Sequence, residues 1–274
     1  MTRDTIGADI YYPSDPDALR SSIQAAVAAA EVDSSDAAVV VAPNGGYELS
    51  LPYLGAALRA CSRVAPEFAV VLAPPPSVTP ARIMLPQSDR FATPLGEMPV
   101  ETTLLERLRA ECPEADYDEI AHLSDHSIEV QLPGLRYLYG PIPIVPLLIG
   151  ELSPEAIARA ARCIAAEAGE RRFLTVVSAN LSGFANPKTA EIRARETIRL
   201  IIDSPGEAVL PKLATMSERP RSTWPLVLGH CLAADARPVV LGRDLFEIDV
   251  DSGVGCVVFG SVAYFARNDA HSVA

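Results

Sequence analysis

With 274 residues and a hydrophobic content of 49%, the chain has enough apolar side chains for a sizeable core, which excludes a disordered polymer. Its formal net charge of −12 excludes the basic face that nucleic acid or an anionic membrane surface would require. No apolar run reaches the length of a membrane span, Met1–Ile10 lacks the apolar core of a secretion signal, and the five cysteines are scattered without a Cys-x-x-Cys pair. A cytoplasmic chain with reduced, mostly buried thiols is therefore expected.

Asp15 followed by Pro16 reads as an N-cap and first helical position, and predicts a helix to about Ala30 with Leu19, Ile23, Ala26 and Val27 inward. Ala37–Ala42 is a short valine-rich run suited to a strand buried on both faces, and it ends in the turn Pro43-Asn44-Gly45-Gly46-Tyr47. Ser50 is expected to cap a helix running from near Pro52 to about Cys61. A second buried strand, Phe68–Ala73, leads into Pro74-Pro75-Pro76-Ser77, where proline removes the N–H donors a phosphate would need. Arg82–Thr93 reads as extended, Thr93-Pro94-Leu95-Gly96 as a turn, and Glu101–Arg109 as a helix.

The stretch Ser124-Asp125-His126-Ser127-Ile128-Glu129-Val130-Gln131-Leu132-Pro133 interrupts the apolar pattern most sharply. Ser124 or Asp125 can cap a helix there, and Ile128, Leu132 and Leu135 recur at helical spacing. On such a helix His126 and Glu129 become neighbours, and an imidazole beside a carboxylate can exchange protons near neutral pH. The same residues also fit a helix start whose histidine is purely structural. His122 precedes this start, so a His122–His126 chelate is not expected; His230 and Cys231 point in different directions on a helix and read as packing; His271 lies in the tail.

Ile142–Leu148 is a further strand, whose Pro143 and Pro146 suggest irregular pairing or a place near a sheet edge. Ser153-Pro154 opens a helix to about Ala168, and Phe173–Ser178 is a strand followed by Ala179-Asn180-Leu181-Ser182-Gly183. Helices follow over Pro187–Ile202, Glu207–Leu213 and Pro225–Ala234, then strands over Val239–Gly242 and Cys256–Phe265. The alternation predicts an α/β fold, a single domain over residues 1–274 with a mainly parallel central sheet and helices on both faces. Three strands end in polar loops beginning at Asn44, Pro74 and Asn180, at the edge where open α/β sheets bind ligands.

Taken in order, these segments resemble the Memo family, whose bacterial members are often named AmmeMemoRadiSam system protein B. Tyr11-Tyr12-Pro13 resembles the family's opening Phe-Tyr-Pro, and Ala42-Pro43-Asn44-Gly45-Gly46-Tyr47 stands where the family has Pro-His-Ala-Gly-Tyr. Thr93-Pro94-Leu95-Gly96 matches its Thr-Pro-Leu-Gly turn. Asp125–Pro133 is similar to its Glu-His-Ser-Leu-Glu-Val-Gln-Leu-Pro segment, with Ile144-Val145-Pro146 following. The resemblance implies a fold like that of the LigB-type class III extradiol dioxygenases, which are non-haem iron enzymes.

Metal-holding members place histidines and a cysteine on the strand-end loops. Here Asn44 takes the first histidine position, Pro76 and Ser77 stand in the family's Gly-Pro-Ser-His-His loop, and Asn180 and Gly183 replace the aspartate and histidine of its Ser-Ser-Asp-Leu-Ser-His loop. Arg221 aligns with the cysteine. A transition ion needs imidazole, thiolate or carboxylate donors, which these residues do not supply, so no metal and no cofactor are expected. Instead Asn44, Ser178, Asn180, Arg221 and His126, bordered by Tyr47 and Glu48, would form a donor-rich pocket for a small anionic ligand.

The expected function is a metal-free binding protein with a degenerate metal site, taking a small anion or a protein partner; a homo-oligomer stays open. The alternatives are a metal-free enzyme with His126 as general acid or base, oriented by Glu129 or Asp125, and a dioxygenase-type iron oxidoreductase with altered ligands.

Overall fold

The computed structural model describes residues 1–76, 81–213, 220–250 and 253–266, so Ser77 and His271 lie outside the described residues. Its elements in order are β1 (Thr2–Arg3), α1 (Pro16–Ala29), β2 (Val39–Ala42), α2 (Tyr47–Ala60), β3 (Phe68–Ala73), β4 (Ile83–Leu85), β5 (Arg90–Phe91) and β6 (Met98–Pro99). Then come α3 (Thr102–Glu111), β7 (Ala115–Tyr117), α4 (Glu119–Leu123), α5 (Leu132–Tyr139), β8 (Ile144–Ile149), α6 (Pro154–Ala168) and β9 (Phe173–Ser178). The chain continues through α7 (Pro187–Ile202), α8 (Leu210–Leu213), α9 (Thr223–Leu232), β10 (Arg237–Val250) and β11 (Gly253–Phe265).

The main sheet has the order β10-β11-β2-β9-β3-β8-β4-β7. Its centre, β2-β9-β3-β8, is parallel, whereas β10, β11 and the β8–β4 pair run antiparallel, so the sheet is mixed around a parallel core. Alternate strand residues face opposite layers, as the two-residue period of a strand requires. Val39, Val41, Val70, Leu72 and Leu147 pack with Ile157, Trp224 and Leu228 of α6 and α9. Val40, Ala42, Ala69, Val71 and Val176 pack with Leu19, Leu54, Leu58 and Leu135 of α1, α2 and α5. Among the described residues no helix is long and apolar enough to cross a membrane. All five cysteines are free thiols, four of them buried and Cys231 half-buried.

Two helix starts follow the caps expected for them. Asp15 accepts from Ala18 N–H and Ser153 from Ala156 N–H, each ahead of a first-turn proline. Four expectations need correcting. Helix α2 begins at Tyr47, five residues before Pro52, because Tyr47 N–H is anchored on the Tyr11 carbonyl at 2.7 Å and Ser50 Oγ bonds back to the Gly45 carbonyl. Strand β8 is interior and not at an edge, and of the two outcomes its prolines suggest it shows the irregular pairing, since β4 meets it at two residues. The Pro143 carbonyl accepts from Ala69 and the Ile144 carbonyl from Glu101, so alternate residues face opposite neighbours. Pro146 thus turns its missing donor toward the side where β4 partners only Leu148 and Ile149.

The third correction concerns Ser124–Pro133. Residues 127–128 form a turn, Glu129–Gln131 a 3-10 helix, and the α-helix starts only at Leu132. Asp125 caps this turn through Ile128 N–H at 2.9 Å, while Ser124 Oγ bonds back to the Ile120 carbonyl of α4. The last is the carboxyl-terminal pair of strands, which is one hairpin of much greater length than Val239–Gly242 and Cys256–Phe265. Only Val262–Tyr264 of β11 pair with β2, so the rest of the hairpin runs past the carboxyl edge of the parallel strands.

Helices α1 and α2 touch at Gly55, where an added Cβ would lie 2.6 Å from the backbone oxygen of Ala26. Gly55→Ala should therefore destabilise the fold by ~1–3 kcal/mol through overpacking, despite alanine's better helix propensity. Urea denaturation checks this, and an unchanged or raised midpoint would contradict the packing.

Candidate functional site

Strands β2, β9 and β3 are neighbours in the sheet, so the loops at their carboxyl ends meet. Together with His126 and Arg221 they line a cleft of about 460 Å³. Asn44, Asn180, Gly183, Pro76, His126 and Arg221 all border it, so residues far apart in sequence share one space. The Asn44 N–H donates to Asn180 Oδ1 at 3.0 Å, which fixes that amide and leaves its Nδ2 as a donor. Arg221 spends Nη1 on the Pro75 and Pro76 carbonyls, at 3.0 and 2.7 Å, pinning the proline loop to the start of α9. It is exposed, and no hydrogen bond engages its Nε or Nη2 among the described residues.

His126 is half-buried, with the Tyr11 ring flat against it, centroids 4.3 Å and planes 4° apart. Burial holds its imidazole below the ordinary histidine value, and the Arg221 charge pushes the same way, against the hydrogen bond to the Asn44 backbone and the charge of Glu129. The neutral form is thus favoured at pH 7.

Other expected site residues sit elsewhere. Glu129 is fully buried and faces the amino-terminal segment. It pairs with Arg3 Nη1 at 2.6 Å and accepts from Gly7 N–H at 2.7 Å, Ile6 N–H at 3.1 Å and the Tyr12 hydroxyl. Asp125 is buried and caps Ile128. The chain between His126 and Glu129 turns as a helix does, with Val130 N–H on the His126 carbonyl at 3.0 Å, but the Glu129 oxygens are taken by Arg3, Gly7 and Tyr12, so its charge acts on His126 without a hydrogen bond among the described residues. Ser178 lies beneath the floor, donating to the Ser127 carbonyl at 2.6 Å and accepting from Gln131 Nε2 at 2.9 Å. Tyr47 turns into the α1–α2 layer, its hydroxyl on the Val130 carbonyl at 2.8 Å, and does not border the cleft; Glu48 does.

The two other histidines among the described residues are structural. His122 is buried in α4 against the Met84 carbonyl at 2.9 Å, so it does not join His126; His230 is buried between Tyr264 and the Ser204 carbonyl. Among the described residues no group of three or more His, Cys, Asp or Glu side chains is placed to hold an ion. The cleft offers one imidazole, from His126, and one carboxylate, from Glu48, beside amides and a guanidinium, a set too poor in metal donors to fit a transition metal.

Sequence reasoning missed two parts of the site. One is Tyr11, which lies 115 positions from the histidine it covers. The other is the wall formed by Ile248, Val257 and Phe259 of the hairpin together with Phe184. Alternation in Phe246-Glu247-Ile248-Asp249-Val250 was the available signal for that strand.

The sequence profile of the Memo-like protein family matches residues 3–220. The chain is similar to a MEMO1 family protein of Thermotoga neapolitana, 28% identical over 204 residues that cover 69% of this chain and 73% of that protein. It is similar to another from Methanopyrus kandleri, 27% identical over 214 residues, or 73% and 76% of the two chains. The crystal structure of an uncharacterized protein from Escherichia coli K12 shares the fold, with a TM-score of 0.52 and 17% identity over 82% of this chain and 98% of that one. Arg221, α9 and the hairpin lie beyond the stretch matched by the family profile.

Two buried groups beside the cleft titrate in opposite senses. Burial pushes Asp125 up to about 6, against the pull of the Ile128 N–H, and pushes His122 down to about 4, against its bond to the Met84 carbonyl. Between those values the unfolded chain holds the histidine proton that the folded chain lacks, so His122 makes stability rise with pH. There the folded chain holds the Asp125 proton that the unfolded chain has lost, so Asp125 makes stability fall. The two slopes largely cancel. Asp125→Asn should unmask the histidine, so that the variant gains up to ~2 kcal/mol on wild type between about pH 4.5 and pH 6. Urea titrations at both pH values check this; a constant difference between the two proteins would contradict it.

Proposed function

We propose that this chain, which belongs to the Memo-like protein family, is a metal-free binding protein whose cleft takes a small anion. The observation that carries this reading is the donor set that borders the cleft, with Asn44, Pro76, Gly183, Asn180 and Arg221 gathered on one site. None of these five is an imidazole, thiolate or carboxylate; His126 and Glu48 add one imidazole and one carboxylate to the border, too few to hold a transition ion, and the guanidinium repels a cation while attracting an anion. Arg221 Nε and Nη2 with Asn180 Nδ2 supply hydrogen-bond donors, and bonds to a charged acceptor are about twice as strong as neutral ones.

The reading of His126 as a general acid or base lacks its orienting carboxylate. Glu129 is committed to Arg3 and Tyr12, and Asp125 to Ile128. The iron-dependent reading lacks a ligand cluster among the described residues.

Protein purified without chelator should carry iron, copper and zinc only in substoichiometric amounts. Acetate, followed by chemical-shift changes, should bind in the cleft, and Arg221→Gln should weaken it by about 10- to 100-fold, the value of a hydrogen bond to a charged group. Arg221→Lys, which keeps the charge and loses the fork, should fall between. Stoichiometric metal that survives dialysis, or acetate affinity indifferent to Arg221→Gln, would overturn the proposal.

A further inference from the structure

The cleft has two unlike sides. Asn180, His126 and Arg221 supply the polar one. The other is apolar, formed by Ile248, Val257 and Phe259 of the hairpin and by Phe184 from the loop after β9. Both aromatic rings are seated on glycine backbone. A Cβ on Gly45 would lie 2.5 Å from Phe259 Cζ, and one on Gly255 would lie 2.3 Å from Phe184 Cζ. Each ring therefore rests on a position that any larger residue would push away. Phe259 is buried, but Phe184 stays 44% exposed at the cleft, a large apolar surface given to water. A solvated aromatic in the same cleft as an exposed guanidinium, whose Nε and Nη2 have no hydrogen bond among the described residues, suits a ligand that is charged at one end and apolar at the other.

We infer that the ligand is a monoanion with an apolar body, an aliphatic carboxylate of medium chain length. The head is held by Arg221 and Asn180, and the body lies along Phe184 and the hairpin. This rests on the anion-binding reading above and adds the ligand's class and a specificity-determining residue, Phe184. Glu48 also borders the cleft and is exposed. Its charge would favour a cation there, so an ammonium of the same length is the direct competitor to the inference.

The test titrates acetate, hexanoate and hexylammonium into the full chain and into Phe184→Ser. Phe184 is a partly exposed loop residue, so this change should leave the fold intact, which a thermal melt checks. A buried methylene raises affinity about fourfold at the transfer value of ~0.8 kcal/mol. With four more methylenes only partly covered, hexanoate should bind at least about tenfold more tightly than acetate. Phe184→Ser should cut hexanoate affinity about fivefold and leave acetate unchanged, and hexylammonium should bind more weakly than either. Equal affinity for acetate and hexanoate, or hexanoate binding indifferent to Phe184→Ser, would overturn this inference while the anion-binding reading stands. Failure of both carboxylates to bind, or preference for hexylammonium, would overturn both.

Discussion

The buried ion pair between Arg3 and Glu129 fixes the segment that presents His126 to the cleft. Both side chains are almost wholly excluded from water, at 1% and 0% exposure. Removing two such ions from solvent costs several kcal/mol each, offset only when every other donor and acceptor finds a partner. Here Arg3 Nε also donates to the His122 carbonyl at 2.6 Å, Nη2 to the Asp125 carbonyl, and the guanidinium lies 5.3 Å from the Phe91 ring centre. Glu129 gathers two backbone N–H groups and the Tyr12 hydroxyl. The amino-terminal segment is thereby bolted to residues 122–129 on both sides of the histidine, and Tyr11, carried on it, is laid against the imidazole. Losing either partner would strand a buried charge, a defect of about 3–5 kcal/mol. The pair also removes Glu129 from any chemistry at His126.

From that anchor the cleft follows. Parallel strands β2, β9 and β3 deliver three loops to one edge, and residues 122–129 close the edge from the α5 layer. The loops keep a geometry able to surround a small guest, but amide, proline and glycine residues stand at their tips. Arg221 then serves two ends. One nitrogen ties the proline loop to α9, and the remainder leaves positive charge facing a cleft otherwise poor in it. On the opposite side the hairpin overhangs the parallel strands and adds an apolar wall.

Local chemistry made much of this legible in the sequence. Proline after Asp15 and Ser153 marked helix starts, and valine-rich runs of strand length marked β2, β3 and β9, because those signals are contained within a few residues. The convergence of Asn44, Asn180 and Arg221 was legible only through strand order and family resemblance. The misplacements arose where a tertiary partner overruled a local preference. Tyr11 draws α2 back to Tyr47, the Asp125 cap delays the α-helix to Leu132, and Arg3 and Tyr12 take the Glu129 oxygens that the pattern offered to His126. Proximity in sequence points Ser178 and Tyr47 at the cleft, but Gln131, Ser127 and Val130 satisfy their hydroxyls below it. No periodicity could reveal the stacking of Tyr11 on His126, since it pairs two separate loops.

Anomalous diffraction from a crystal holding both manganese(II) and bromide tests the central claim most directly, since each ion announces itself at its own absorption edge. A cleft built for anions should show bromide beside Arg221 and Asn180 and no manganese. Manganese held there by Asn44, His126 or Asn180, with the guanidinium swung aside, would contradict the account.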